Sequence, residues 1–244
     1  VQSNAIGNEA KASAWGANAI GVMSVGGGQA SNAIGVGATA GANYTNAMGY
    51  EAVAGGANSS AIGYQAVAGG ENSNAMGYQA KATANYSNAF GYQAYVNSNA
   101  IESTAVGYKA TVASNVTDAL SIGSNSQANA NYSASLGYKT NAAGINSVAI
   151  GSENGSYGNY SVSLGYKTNA SAENSVAIGQ NNVAVKNSVS VGSGSYAVNE
   201  NSVAIGSNSW AIEANTVSVG NNGKVGAGEA LYRRIVNVDA ADTN

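Results

Sequence analysis

The sequence predicts an all-β fold, a parallel β-solenoid of about 16 coils of 14 residues. Three observations predict it. A glycine preceded by a large apolar residue recurs sixteen times, from Gly7 to Gly220. The step is 14 residues, apart from two steps of 16 (Gly91 to Gly107 to Gly123) and one of 13 (Gly179 to Gly192). Within each unit small and large residues alternate with period two, which is strand parity and not helix parity. Strands that repeat at one fixed period, with no helix between them, stack as coils of a solenoid.

Each column of the repeat defines one element. The residue before the glycine is large and apolar: Ile6, Ile20, Ile34, Met48 and onward to Val219. Two before it stands only Ala or Ser. Three and five after it the residue is usually small, as in Ala52 and Ala54 or Ala66 and Ala68. A unit of this length holds two strands of about five residues and two tight turns. Glycine supplies the backbone freedom at one turn. An Asn- or Tyr-led pair, such as Asn174-Ser175 or Tyr86-Ser87, marks the other, where Asn tolerates positive φ. Parallel coils about 4.8 Å apart give a rod roughly 75 Å long.

The large aliphatic column is expected to pack across the lumen against the small Ala columns. Such a roll is thin, and its flat Ala/Ser face is expected to be covered by an identical subunit lying side by side with it. Three before the glycine, the first eight copies are polar: Asn4, Asn18, Asn32, Asn46, Ser60, Asn74, Asn88 and Thr104. From Leu120 onward this position is Leu or Val, apart from Ala134. Parity puts the column on the face of the aliphatics. Stacked asparagines can hydrogen-bond in a ladder. The N-terminal half is therefore expected to have a wetter, looser and less stable core. The other reading of this column is a wet corner.

Composition excludes several function classes. The 244 residues include no Cys, His or Pro. Thiolate nucleophiles, the usual zinc and copper sites, Ser-His-Asp triads and disulfides are ruled out. Only 9% of residues are charged, for a net charge of −3, and the nine Lys and Arg are scattered. Nucleic acid is not an expected partner, because phosphate binding needs clustered cations. No 18-residue apolar run is present, so no helical membrane span is expected. Zero cysteine fits a secreted or surface protein. The chain begins in mid-pattern at Val1, so it is expected to be part of a longer protein.

Asn146-Ser147-Val148-Ala149-Ile150-Gly151, Asn174-Ser175-Val176-Ala177-Ile178-Gly179 and Asn201-Ser202-Val203-Ala204-Ile205-Gly206 resemble the NSVAIG signature of YadA-like heads of trimeric autotransporter adhesins. The resemblance covers about residues 1–225. Arg233-Arg234-Ile235-Val236-Asn237-Val238, then Asp239 to Asn244, resembles the start of the family's neck. The resemblance implies a left-handed parallel β-roll head over 1–225 and the start of a neck or connector over 226–244. It also implies a side-by-side homotrimer, with a coiled-coil stalk and an outer-membrane anchor beyond Asn244. The location it implies is the bacterial cell surface, extracellular. The implied partners are host extracellular-matrix proteins of the collagen, fibronectin or laminin class, or host receptors that include the immunoglobulin superfamily. Autoaggregation is also implied. No enzyme activity and no cofactor are expected.

Candidate binding residues come from columns and from insertions. Tyr50, Tyr64, Tyr78, Tyr92 and Tyr108 follow the glycine on consecutive coils and predict a stacked aromatic ladder. Tyr44, Tyr86, Tyr132 and Tyr160 form a second column, five before the glycine. Tyrosine gives large contact area at low entropic cost, which suits recognition. The same rows can instead staple adjacent coils. Two after the glycine, Glu51, Gln65, Gln79, Gln93 and Lys109 predict a solvated outward row that either contacts an extended partner or only keeps the rod soluble. The two long coils carry insertions, which map to loops and often to binding. Tyr95, Asn97, Asn99 and Glu102 are the candidates there, against a bulge that only adjusts twist. Glycine-rich matches such as Gly26-Gly27-Gly28 lack the strand-to-helix context of a phosphate loop.

Two function classes follow. One is an adhesive head whose repeated side-chain rows add weak contacts by multivalency. The other is a structural spacer in a surface fibre, with the ligand site elsewhere.

Overall fold

The structure is a computed structural model and describes residues 2–223 and 229–236. Two parallel sheets form a solenoid of about 15 turns. One has sixteen strands, from Asn4–Ile6 to Val217–Ser218. The other has fifteen, from Lys11–Ala12 to Trp210–Ala211. No helix occurs among the described residues.

The repeat sets the register. Asn18, Ala19 and Ile20 pair with Asn32, Ala33 and Ile34. The long steps keep the columns aligned, because Asn88 pairs with Thr104 and Thr104 with Leu120. The short step does the same, with Val176 on Val189. The irregular lengths are therefore absorbed in turns. The strands are shorter than the expected five, with three residues in the first sheet and two in the second over most coils. They lengthen to five residues in the first sheet from Ala134–Tyr138 to Val189–Ser193.

Parity is as expected, but the faces are exchanged. Ala19, Ala33, Ala47 and Ala61 are fully buried, whereas Ile20, Ile34, Met48 and Ile62 are 37–42% exposed. The aliphatic column lies outside, and the Ala/Ser columns line the lumen. The reason is lumen size. Ser121 Oγ and Ser126 Oγ meet at 2.7 Å across it, so one atom beyond each Cβ already fills the gap. An isoleucine there would overpack. The flat Ala/Ser face is therefore buried inside the roll and is not free to meet a neighbour, and the row of aliphatics is exposed instead.

The asparagine column shares that outer face and does not enter the core. It does form the ladder. Asn4 Nδ2 donates to Asn18 Oδ1 at 2.8 Å, Asn18 to Asn32 at 2.8 Å, and Asn32 to Asn46 at 2.9 Å. The polar stretch of lumen lies in the C-terminal half instead. There Ser121, Ser126, Ser135, Thr140, Asn154, Thr168 and Asn182 are buried, while the continuous apolar core runs from Ala33 to Ala128. The premise of a polar N-terminal core fails.

Both turns need unusual backbone. Gly49 has φ of 137°, a region closed to side chains, and a Cβ there would run into the Gly63 carbonyl of the next coil. The second turn places Asn72, Tyr86 or Asn174 at φ of 54–57°. The buried serine after it closes the turn. Ser73 Oγ donates to the Gly70 carbonyl at 2.7 Å, and Ser87 to Ala84 at 2.6 Å.

Near the end of the stack Asn221 and Leu231 form an antiparallel bridge. The Arg233 guanidinium donates to Ser209 Oγ at 2.9 Å and to the carbonyls of Val219 and Ser207. It thereby ties the segment after the last strand to the final coils. The rest of the predicted neck motif, from Asn237 to Asn244, lies outside the described residues.

Candidate binding face

The turn after the glycine builds two parallel ladders. Tyr50, Tyr64, Tyr78, Tyr92 and Tyr108 stack with centroids 4.9–5.1 Å apart and planes within 11°. Their rings are close to half exposed. Identical residues at one column on successive coils can only stack at the coil spacing, so strand register alone fixes the geometry.

Beside them runs an amide ladder. Gln65 Nε2 donates to Glu51 Oε2 at 2.7 Å, Gln79 to Gln65 Oε1 at 2.9 Å, and Gln93 to Gln79 Oε1 at 2.8 Å. Every donor points toward the Glu51 carboxylate. At the next coil Lys109 ends the amide run, its ammonium 5.2 Å from the centre of the Tyr108 ring. Lys139 and Lys167 lie 5.0 Å from the Tyr138 and Tyr166 rings in the same way. The partner tyrosines raise both lysine pKa values, by hydrogen bond first and charge second. Glu51 raises the Tyr50 phenol likewise.

Tyr95 lies apart from the aromatic ladder. It starts the strand Tyr95–Val96 and, with Val67 and Lys81, lines a shallow groove whose other wall is Glu51, Gln65, Gln79 and Gln93. The groove holds about 480 Å³ and runs over four coils. Among the described residues Tyr95 has no ring partner.

Asn97, Asn99 and Glu102 lie at the other turn, so the structure does not join them to the tyrosines. Asn97 Nδ2 donates to the Val112 carbonyl at 2.7 Å, and Asn99 Nδ2 to Asn115 Oδ1 at 3.0 Å. The two insertions stack on each other through Ile101 and Thr117, over buried Ala100, Val116 and Ala119. They form an ordered double bulge with its own small core. Glu102 and Asp118 take the extra left-handed position in each, at φ of 58° and 53°.

The amide bonds and the groove escaped the sequence reading, although glutamine at three successive copies of one column was the visible signal. Among the described residues no three acidic, His or Cys side chains cluster to hold a metal. The face can bind by hydrogen bonds and by aromatic surface.

The family model described as the YadA head domain repeat matches residues 45–66, 54–73, 68–94, 117–140, 132–154, 156–182, 186–209 and 197–222. The chain belongs to the YadA head family. Among curated proteins none matches it. The family is one of trimeric surface adhesins, adhesive rather than enzymatic, and a homotrimer of this YadA head is consistent with that. The matched spans break between 94 and 117. Most of the double bulge, with Tyr95, Asn97, Asn99, Glu102 and Tyr108, falls in that break.

Proposed function

We propose that this YadA head is the adhesive part of a bacterial surface fibre. It attaches to host matrix proteins of the collagen, fibronectin or laminin class, or to host receptors that include the immunoglobulin superfamily, and it contributes to autoaggregation. One observation carries the reading: five exposed tyrosines are held in register at 4.9–5.1 Å, with their rotamers already fixed by stacking. A pre-ordered row loses little entropy on contact. Three such rows on a trimer would add by multivalency. Residues 1–225 are the head and 226–244 the start of a neck, which leads to a stalk and an outer-membrane anchor beyond Asn244. The bonds of Arg233 support a connector that packs back on the last coil.

The test is attachment of the purified head to surfaces coated with each matrix protein or receptor. Attachment that drops in Tyr64→Ala/Tyr78→Ala and changes little between low and high salt supports the reading. No attachment to any surface overturns it. The spacer reading has an observation of its own, since Asn97 and Asn99 spend their side chains on coil-to-coil bonds. It predicts no attachment at all.

A further inference from the structure

The geometry points to a carbohydrate site in the groove along Gln65, Gln79, Gln93 and Tyr95: a linear, uncharged glycan lying along the rod axis, one pyranose per coil. This assignment deepens the adhesive reading and rests on it.

Spacing selects the class of ligand. Coils recur about every 4.8 Å, whereas an extended peptide advances about 3.3 Å per residue, so its polar groups fall out of step with the rungs. A pyranose in an extended 1,4-linked chain advances by about one coil and stays in step. Each middle glutamine spends one N–H and one lone pair on the ladder. A second N–H and a second lone pair remain at each rung, matching a hydroxyl that both donates and accepts. The ladder also fixes these amides before any ligand arrives, which removes an ordering cost.

Aromatic surface selects the same class. The faces of Tyr64, Tyr78 and Tyr92 are covered by their neighbours and are closed to a sugar. Tyr95 is different. Register places Lys81 and Thr111 beside it, and no ring covers it. Its partly exposed side chain lines the groove with Val67, and the two give an apolar floor for the C–H side of a pyranose. Charge narrows the class further. Glu51 and Lys81 are the two charged side chains lining the groove, and they cancel. An anionic chain would need a run of cations. The groove's size of about 480 Å³ is that of a site for a short oligomer.

The test is calorimetric titration of the purified head with chitotetraose and cellotetraose, with their disaccharides, and with a heparin tetrasaccharide. A neutral tetrasaccharide is expected to bind, with its disaccharide weaker by roughly tenfold because fewer rungs are engaged. Gln79→Asn and Tyr95→Thr are each expected to weaken binding roughly tenfold, and Tyr95→Phe to retain it. Both substitutions copy residues already present in the same columns, at Asn125 and Thr111, so the coils accept them, and an unchanged melting temperature verifies that. Three results overturn the assignment: no heat with either neutral tetrasaccharide at millimolar concentration, variants that bind like the parent, or tighter binding of the heparin fragment. Attachment to matrix proteins without tetrasaccharide binding removes the glycan site and leaves the adhesive reading standing. Tetrasaccharide binding without attachment does the reverse.

Discussion

Tyr86 has φ of 57°, in the left-handed region where a bulky side chain is costly. Asn occupies the same turn position at Asn72, Asn146 and Asn174 at almost the same φ. Asparagine tolerates that backbone, so Tyr86→Asn is expected to raise stability by roughly 0.5–1 kcal/mol. Thermal unfolding checks this, and a lowered Tm would contradict it. If the same variant attaches less well, the strain at Tyr86 serves recognition, as strained positions at functional sites do. A second residue-scale prediction concerns Tyr50. The neighbouring Glu51 carboxylate raises its pKa, first by hydrogen bond and then by charge. Losing the phenol proton breaks that bond and leaves two anions side by side. Glu51→Gln is therefore expected to make Tyr50 ionise at lower pH. NMR titration of the Tyr50 ring reads it, and an unmoved or higher midpoint would refute the cause.

Within an element the lumen shows a complementarity written across strands. From Ser121 to Ser190, where the inward residue of the first sheet is serine, the one five positions on is Ser or Thr. The two hydroxyls then meet at 2.6–2.7 Å, as in Ser121–Ser126, Ser135–Thr140, Ser163–Thr168 and Ser190–Ser195. Where the first residue is Ala149 or Ala177, the second is Asn154 or Asn182. The longer amide then reaches the far wall: Asn154 Nδ2 donates to the carbonyls of Ile150 at 2.7 Å and Ser163 at 3.1 Å. In these C-terminal coils medium faces medium and small faces large, whereas the coils from Ala33–Ala38 to Ala105–Ala110 set small against small. Ala149→Ser alone is expected to overpack, and Asn154→Thr alone to leave a void, each costing about 1–2 kcal/mol. The double variant is expected to cost less than their sum by about 1 kcal/mol. Denaturant unfolding of the four proteins checks it, and strict additivity would show that the pairing is coincidental. The gap between the sheets also explains what could be read from the sequence. Period, register and turn positions were legible because identical residues recur at Ala19, Ala33 and Ala47 and at Tyr50, Tyr64 and Tyr78. The inward face was not. Hydropathy favours Ile34 inside over Ala33, and only the distance between the sheets reverses that preference. The tyrosine ladder was legible as a column of one residue type. The groove was not, because its depth depends on the relative heights of the Gln79, Lys81 and Tyr95 side chains in neighbouring columns.

At the scale of the whole molecule, the exchanged faces say where the rod needs company. An alanine-lined lumen buries little area per coil, while Ile20, Ile34, Met48, Ile62, Met76, Ile122, Ile150 and Leu164 form an exposed apolar row along the first sheet. A row of that extent is beyond what monomers usually leave in water. Covering the exposed third of one isoleucine is worth only about 0.5–1 kcal/mol, so a single coil could not hold two subunits together, but a row repeated along the rod can. The row becomes more apolar toward the C-terminus, where Val148, Val162 and Val176 replace the asparagines beside it. The seam between subunits is therefore expected to be strongest there. Ile150→Lys puts a charge into that seam and is expected to convert the side-by-side oligomer to monomer, with a lower Tm. Val67→Lys is the matched control: it adds the same charge on the second sheet, in a column that already contains Lys11 and Lys81, and is expected to leave assembly intact. Light scattering after size exclusion reads both. Dissociation by Val67→Lys with Ile150→Lys unaffected would place the seam on the second sheet, over the groove, and would remove both this account of assembly and the access that the glycan site requires.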